Sequence, residues 1–381
     1  MSNVKCHVVF LTLLIAFLSL IALMIIHEFG HFIIAKKFGV KVEEFGIGYP
    51  PRIFGKKFGE TIYSINLVPL GAFVKIYGEE GGIDDYRSFA NLAIWKRILI
   101  VLGGVIAFWV ASAIIFSIAF TIGAFVPIGD QDIQGFAKTH IAIVAIEKAS
   151  PADIAGLKTG DRVINLINAS QNIEVNKIAD FQKFIQDNKG KSIALIISRD
   201  GKYIPFTLTP RAQHGPNEGP LGVAVERMAE VIEKHPWYEA PVRGTIYCVT
   251  ATGNAVKSIV DVLTSMFTGK GVPAGAEFAG PVGITIFLAR AADYGLGFFL
   301  YFIGSISVLV ALFNLFPIPA LDGGKLLFLI IEKIKGRPVS VKIEQTLTVI
   351  FFILLISMSI FITIKFDIPR LSDFFRAGVG K

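Results

Sequence analysis

The chain has 381 residues, 53% of them hydrophobic, with 33 Phe and a net charge of +7; its mean hydropathy is +0.62. These values point away from a set of soluble domains and towards a membrane protein. Only two cysteines, Cys6 and Cys248, are present, which excludes a disulfide framework and any thiolate-rich metal site. The basic balance comes with no aromatic-interleaved patch or nucleic-acid module, so nucleic acid is excluded as a partner and the charge reads as topology.

The first apolar run, Val8 to Ala35, is followed by Lys36-Lys37. It exceeds the roughly 7–15 residue core of a signal peptide and lacks a small-residue cleavage site, so it is expected to persist as a spanning helix. Within this run stands His27-Glu28-Phe29-Gly30-His31. Residues four apart share one face of a helix, so His27 and His31 can present two imidazoles to one ion, with Glu28 beside them. Zinc favours such nitrogen ligands, and a neighbouring carboxylate can deprotonate water held there. The spacing also arises by chance, but three ionisable groups are costly at membrane depth unless they are partnered or functional.

Beyond this helix, Gly46 to Gly82 changes character, opening with Gly48-Tyr49-Pro50-Pro51. Thr61 to Leu67 alternates like a strand, Pro69-Leu70-Gly71 turns the chain, and Ala72 to Tyr77 is a second strand-like run. The pattern predicts a β-hairpin, either an ordinary cytoplasmic one or an element whose edge accepts an extended peptide. Ile98 to Val126 is a second span.

From Pro127 to Glu226 the composition is that of a soluble α/β domain. Ser150-Pro151-Ala152-Asp153 reads as a helix start, with Ser at the N-cap and Pro in the first turn. Ile178 to Asn188 reads as an amphipathic helix with Phe181, Phe184 and Ile185 on one face. Two strands, Ile193 to Ser198 and Tyr203 to Leu208, flank the turn Arg199-Asp200-Gly201-Lys202. Gly219-Pro220-Leu221-Gly222-Val223 reads as a plain Gly-Pro turn, or else resembles the terminal-carboxylate loop of a circularly permuted PDZ domain. Pro241 to Phe267, with Lys257 and Asp261, reads as an interfacial amphipathic helix. Gly295 to Phe316 and Gln345 to Ile364 complete four candidate spans.

Ten Lys and Arg residues lie in segment 36–97, and Lys325, Lys333, Lys335, Arg337 and Lys342 precede the last span. The positive-inside rule then places both basic loops in the cytoplasm, with the N-terminus and segment 127–240 outside. Lys365, Arg370, Arg376 and Lys381 pull the other way, but four spans require the C-terminal tail outside.

A zinc site needs a third protein ligand. The candidate is Asp322, in Asn314-Leu315-Phe316-Pro317-Ile318-Pro319-Ala320-Leu321-Asp322-Gly323-Gly324. Its structural alternative is a cap on the following helix. Pro317 and Pro319 free backbone groups, which membrane depth tolerates only where protein or a water-filled cavity satisfies them. At 1.5 Å per residue, His27 lies about 27 Å from the outer start of its helix, near the inner side of a roughly 30 Å core. Asp322, just before Lys325, falls at a similar depth.

Together, the paired motifs, Pro69-Leu70-Gly71-Ala72-Phe73-Val74, Ala279-Gly280-Pro281-Val282-Gly283 and the Ala-Gly-Leu-x-x-Gly-Asp pattern between Ala155 and Asp161 resemble the site-2 protease family of intramembrane zinc metalloproteases. The likeness covers nearly the whole chain and is greatest to the bacterial regulator-of-sigma-E protease type, here with one PDZ domain. It implies a polytopic α-helical membrane protein of four transmembrane helices, with a membrane-associated β-element around 61–77 and an inserted α/β PDZ-like domain. Residues 1–126 and 227–381 would form the membrane domain, and 127–226 the extracytoplasmic PDZ-like domain. The resemblance implies His27, His31 and Asp322 as ligands of Zn2+ and Glu28 as general base. Where family members often carry Ala-Gly-Pro-x-x-Asn-Phe in the second helix, this chain has Leu102-Gly103-Gly104-Val105-Ile106-Ala107-Phe108, with Ala107 in place of Asn.

The expected activity is peptide-bond hydrolysis within the bilayer of single-pass transmembrane proteins or signal-peptide remnants, in the bacterial inner membrane, with the active site near the cytoplasmic side. Asn314 is either a substrate or oxyanion hydrogen-bond donor or a helix-packing residue. The PDZ-like domain would bind peptide termini or gate access. Two rival readings are an inactive PDZ-containing adaptor, against which the intact Glu28 weighs, and a metal transporter, for which no inverted repeat is visible.

Overall fold

The computed structural model describes residues 2–79, 81, 85–128, 138–147, 149–199, 201–213, 219–230, 235–268 and 278–379. Gly82, Asp200 and Lys381, used in the sequence reading, lie outside them. In chain order the elements begin with α1 (Ser2–Lys37), β1 (Val42–Phe58), β2 (Thr61–Ile76), α2 (Ile94–Ile122), β3 (Phe125–Ile128) and β4 (Lys138–Ile146). There follow α3 (Pro151–Ala155), β5 (Arg162–Ile167), β6 (Asn172–Glu174), α4 (Ile178–Asp187), β7 (Ile193–Arg199), β8 (Lys202–Leu208) and β9 (Val223–Glu230). The chain continues through α5 (Ala240–Phe267), α6 (Pro281–Asp293), α7 (Leu296–Asn314), α8 (Asp322–Lys335), α9 (Val341–Ile362) and α10 (Ile368–Val379).

Among the described residues, four helices are long and apolar enough to cross a membrane: α1, α2, α7, and α9 with its continuation to Ser372. The protein is a multi-pass membrane protein that also carries β-structure. Helix α2 is the central pillar, packed against α1, α5 and α7. Small residues let it approach its neighbours. Ser112 donates to the Gly304 carbonyl and Ser307 to the Phe108 carbonyl, each at 2.9 Å and buried. None of the residues of α9 is buried.

Strand β1 is a finding that composition hid. Val42–Phe58 contains Gly48, Pro50, Pro51 and three cationic side chains, so it did not read as strand. It bends at Gly48–Pro51, and both of its arms pair with β2. Residues 42–47 lie between 72–76 on one side and 62–65 on the other, and 52–58 pair with 61–66. The expected hairpin between 61–67 and 72–77 is therefore corrected: these two runs do not pair with each other but flank the first arm of β1. The reason is Gly71, at φ +136°, which lets β2 bend rather than reverse tightly on itself.

This sheet runs along α1. Glu60 pairs with Lys36 at one end, and a Cβ added to Gly71 would meet the Met24 side chain at the other. Twelve helical residues separate these contacts, roughly 18 Å. The sheet thus reaches well into the apolar length of α1.

The second sheet has the order β3-β9-β4-β5-β7-β8, with β6 on β5. Its core gathers Ile141, Leu166, Phe181, Phe184, Leu195 and Ile197. The expected local signals are present. Ser150 Oγ accepts from the Asp153 N–H at 3.2 Å, and Asp153 Oδ2 accepts from the Ala149 N–H at 2.8 Å, a reciprocal cap. Arg199 pairs with Lys202 across the expected turn. The sheet rests on the membrane helices through Ala142 and Met228 against Ala291 and Phe298. Helix α5 forms where an interfacial helix was expected, but its first half packs on α2. Tyr247 stacks edge-on against Phe116 and Phe120, and Cys248 Sγ lies 3.6 Å from the Trp109 carbonyl oxygen.

Candidate metal centre

His27 and His31 lie one turn apart on α1 and both are buried. Their Nε2 atoms are 3.2 Å apart. Asp322, in the first turn of α8, brings Oδ2 to 3.3 Å from His27 Nε2 and 3.4 Å from His31 Nε2. Three ligand-type atoms from two helices therefore form a nearly equilateral triangle. With zinc–nitrogen and zinc–oxygen distances near 2.0–2.1 Å, the edge of a tetrahedral shell is about 3.3 Å. Oδ2 of Asp322 and Nδ1 of His27 are buried without a hydrogen-bond partner. The donor set fits a tetrahedral divalent cation with one position left for water.

The rings are held from behind. His31 Nδ1 lies 2.8 Å from the Ile100 carbonyl oxygen, which only an N–H on Nδ1 can satisfy, leaving the Nε2 lone pair free for a metal. His27 stacks on Phe108, ring centroids 4.6 Å apart. Both partners belong to α2, and α2 comes this close because of its glycines. A Cβ on Gly104 would stand 2.4 Å from both His27 Cε1 and His31 Nε2, and one on Gly103 would stand 2.7 Å from the Gly30 carbonyl oxygen.

Glu28, His31, Asp322 and Lys325 line one cavity of about 100 Å³, with Val74 and Ile76 of β2 on another wall. A polar-lined space of this size holds several waters. The structure therefore gathers Glu28, His27, His31 and Asp322 at one place, although 290 intervening positions separate the two motifs in the numbering from His31 to Asp322.

A family model described as peptidase family M50 matches residues 15–358. The chain belongs to peptidase family M50. A Clostridium acetobutylicum protein bearing the name zinc metalloprotease is 33% identical over 356 residues, covering 93% of this chain and 97% of its own length. A Clostridium perfringens protein of the same description is 32% identical over 359 residues, with 93% and 97% covered. The regulator of sigma E protease of Salmonella typhi is 27% identical over 442 aligned positions, covering 90% of this chain and 96% of that protein.

As an M50 chain, the protein is a metalloprotease. Asn314 closes α7, and its Nδ2 donates to the Val310 carbonyl oxygen at 3.0 Å. One of its two amide hydrogens is thus spent within its own helix, and the side chain is not part of the cavity wall beside Glu28. Ala107 lies against Gly30, whose added Cβ would meet the Ala107 Cβ at 2.7 Å. Ile100 and Glu79 escaped the sequence reading, and Gly104 and Phe108 entered it only as part of the second-helix motif, with no place at the site. Gly103-Gly104 was the available signal, because two glycines inside a spanning helix cost about 1 kcal/mol each relative to Ala and call for a packing reason.

Proposed function

We propose that this chain hydrolyses peptide bonds inside the lipid bilayer, with His27, His31 and Asp322 holding Zn2+ and Glu28 acting as general base. The observation that carries this reading is the 3.2–3.4 Å triangle of ligand atoms opening on the cavity that also holds Glu28. When bound, zinc supplies Lewis-acid polarisation of the scissile carbonyl and of the attacking water. The Glu28 carboxylate takes a proton from that water as its oxygen bonds to the carbonyl carbon, then returns a proton to the leaving nitrogen as the C–N bond breaks. The Ile100 carbonyl keeps the His31 proton on Nδ1 throughout. An adaptor would have no use for a carboxylate in that cavity.

A transmembrane substrate hides its carbonyls in helical hydrogen bonds and must unwind first. Residues 72–76 pair with 42–47 on one side only among the described residues, and Val74 and Ile76 of that edge border the cavity. An unwound substrate added there as a further strand would lie beside Glu28. The second amide hydrogen of Asn314 is a candidate donor to such a substrate.

Residues 127–226 are read as an extracytoplasmic PDZ-like domain between two membrane halves, 1–126 and 227–381. The loop at Gly219–Gly222, which leads into β9, would meet peptide termini, or the domain would gate access to the bilayer-embedded site. The substrate class is single-pass membrane proteins, such as anti-sigma factors, or remnant signal peptides. The location is the bacterial inner membrane, with catalysis near the cytoplasmic side, the side of the paired basic residues Lys36, Arg87 and Arg97. Glu28→Gln tests the reading. The variant should retain zinc and lose cleavage of a model transmembrane substrate; undiminished cleavage overturns it.

A further inference from the structure

Lys325 follows Asp322 by three residues on α8, so the two side chains share a face. Glu79 follows Ile76, the last residue of β2, by three residues. Lys325 Nζ donates to Glu79 Oε1, and both side chains line the cavity that holds Glu28. The pair joins parts of the chain 246 residues apart.

We propose that the Lys325–Glu79 ion pair is a positioning latch that fixes the edge strand 72–76 relative to the helix bearing Asp322. The proposal rests on the protease reading above and adds to it the element that registers substrate against metal ligand. The physical need is clear. A substrate strand on the 72–76 edge takes its place from β2, whereas the metal takes one of its ligands from α8. A misplacement of about 1 Å between reacting groups costs on the order of a hundredfold in rate. Val74 and Ile76 share one apolar cluster with Leu326 and Leu329, but burial of apolar surface does not select a register. An ion pair with a directed hydrogen bond does.

Charge gives a second reason. Glu28, Glu79 and Asp322 bring three carboxyl groups to the cavity, and Lys325 is the permanently cationic side chain on its wall. Without that cation, Glu79 would be drawn away from the other two carboxylates, taking the end of β2 with it.

The test uses the full chain in detergent or lipid, a model transmembrane substrate, and separate measurement of kcat, KM and zinc stoichiometry. Lys325→Met and Glu79→Gln should each lower kcat by about 10- to 100-fold, with zinc stoichiometry unchanged. Lys325→Arg should stay close to wild type, and the reversed pair, Lys325→Glu with Glu79→Lys, should recover most of the loss. Wild-type kcat in Lys325→Met overturns the latch. So does zinc loss in parallel with activity, since Lys325 would then merely support Asp322, and so does a reversed pair no better than the single variants. These failures are distinct from failure of the protease reading, which would show as Glu28→Gln cleaving normally in the same assay.

Discussion

His31 Nδ1 and the Ile100 carbonyl oxygen are 2.8 Å apart, so a backbone atom of α2 decides that Nε2 of His31 is the nitrogen that faces Asp322. Any change that moves α2 along α1 therefore alters the proposed donor set without touching His27, His31 or Asp322.

Gly104→Ala is the sharpest such change. Its Cβ would lie 2.4 Å from His27 Cε1 and His31 Nε2, closer than non-bonded carbon and nitrogen atoms come, so one ring must leave its place. The variant should bind zinc about 10- to 100-fold more weakly, the usual effect of disturbing groups behind the ligands. Metal titration of the purified protein measures this directly.

Arg97 and Glu332 form a bidentate pair between α2 and α8, with Arg97 Nη1 3.0 Å from Glu332 Oε2, and both side chains are largely buried. Removing one partner leaves a charge without its counter-ion. Arg97→Met should lower stability by about 3–5 kcal/mol, and adding Glu332→Leu should restore much of it. Chemical unfolding in detergent, followed for both variants, reports the difference.

Asn66 Nδ2 donates to the Gly48 carbonyl oxygen at 3.1 Å and to Ser64 Oγ at 3.3 Å inside the first sheet. Asn66→Ala leaves that carbonyl unmet and should cost about 1–3 kcal/mol. Asn66→Asp should not rescue, because a carboxylate cannot donate. Thermal unfolding of the two variants decides the point, and equal stability of Asn66→Asp and wild type would count against the donor role.

His140 of β4 has its pKa held down to about 4, chiefly by burial and secondarily by Arg162. Its ordinary value is near 6.5, so between these two values the unfolded chain binds the proton and the folded one does not. Stability of the second sheet should therefore fall as pH is lowered from about 6.5 to about 4, by up to roughly 3 kcal/mol. Amide exchange of β4 and β9 in the full chain should show this loss of protection, and His140→Asn should flatten it.

The sequence alone determined the four long apolar helices, because a stretch of about twenty apolar residues suits a bilayer better than water. It also singled out His27, Glu28 and His31, because helical spacing makes a local motif geometric, and the Ser150 cap and the Arg199–Lys202 turn follow from equally local rules. Asp322 was legible as a candidate only, since one acidic residue before a helix serves equally as a cap. Tertiary structure decided what depends on contacts distant in sequence. It placed Asp322 Oδ2 on the two Nε2 atoms, aimed Ile100 at His31, and folded β1 between the arms of β2 against the local turn signals. Sequence patterns report which face of an element is apolar. They do not report which carbonyl, glycine or lysine another element will bring to that face, because that is fixed by packing among helices hundreds of residues apart.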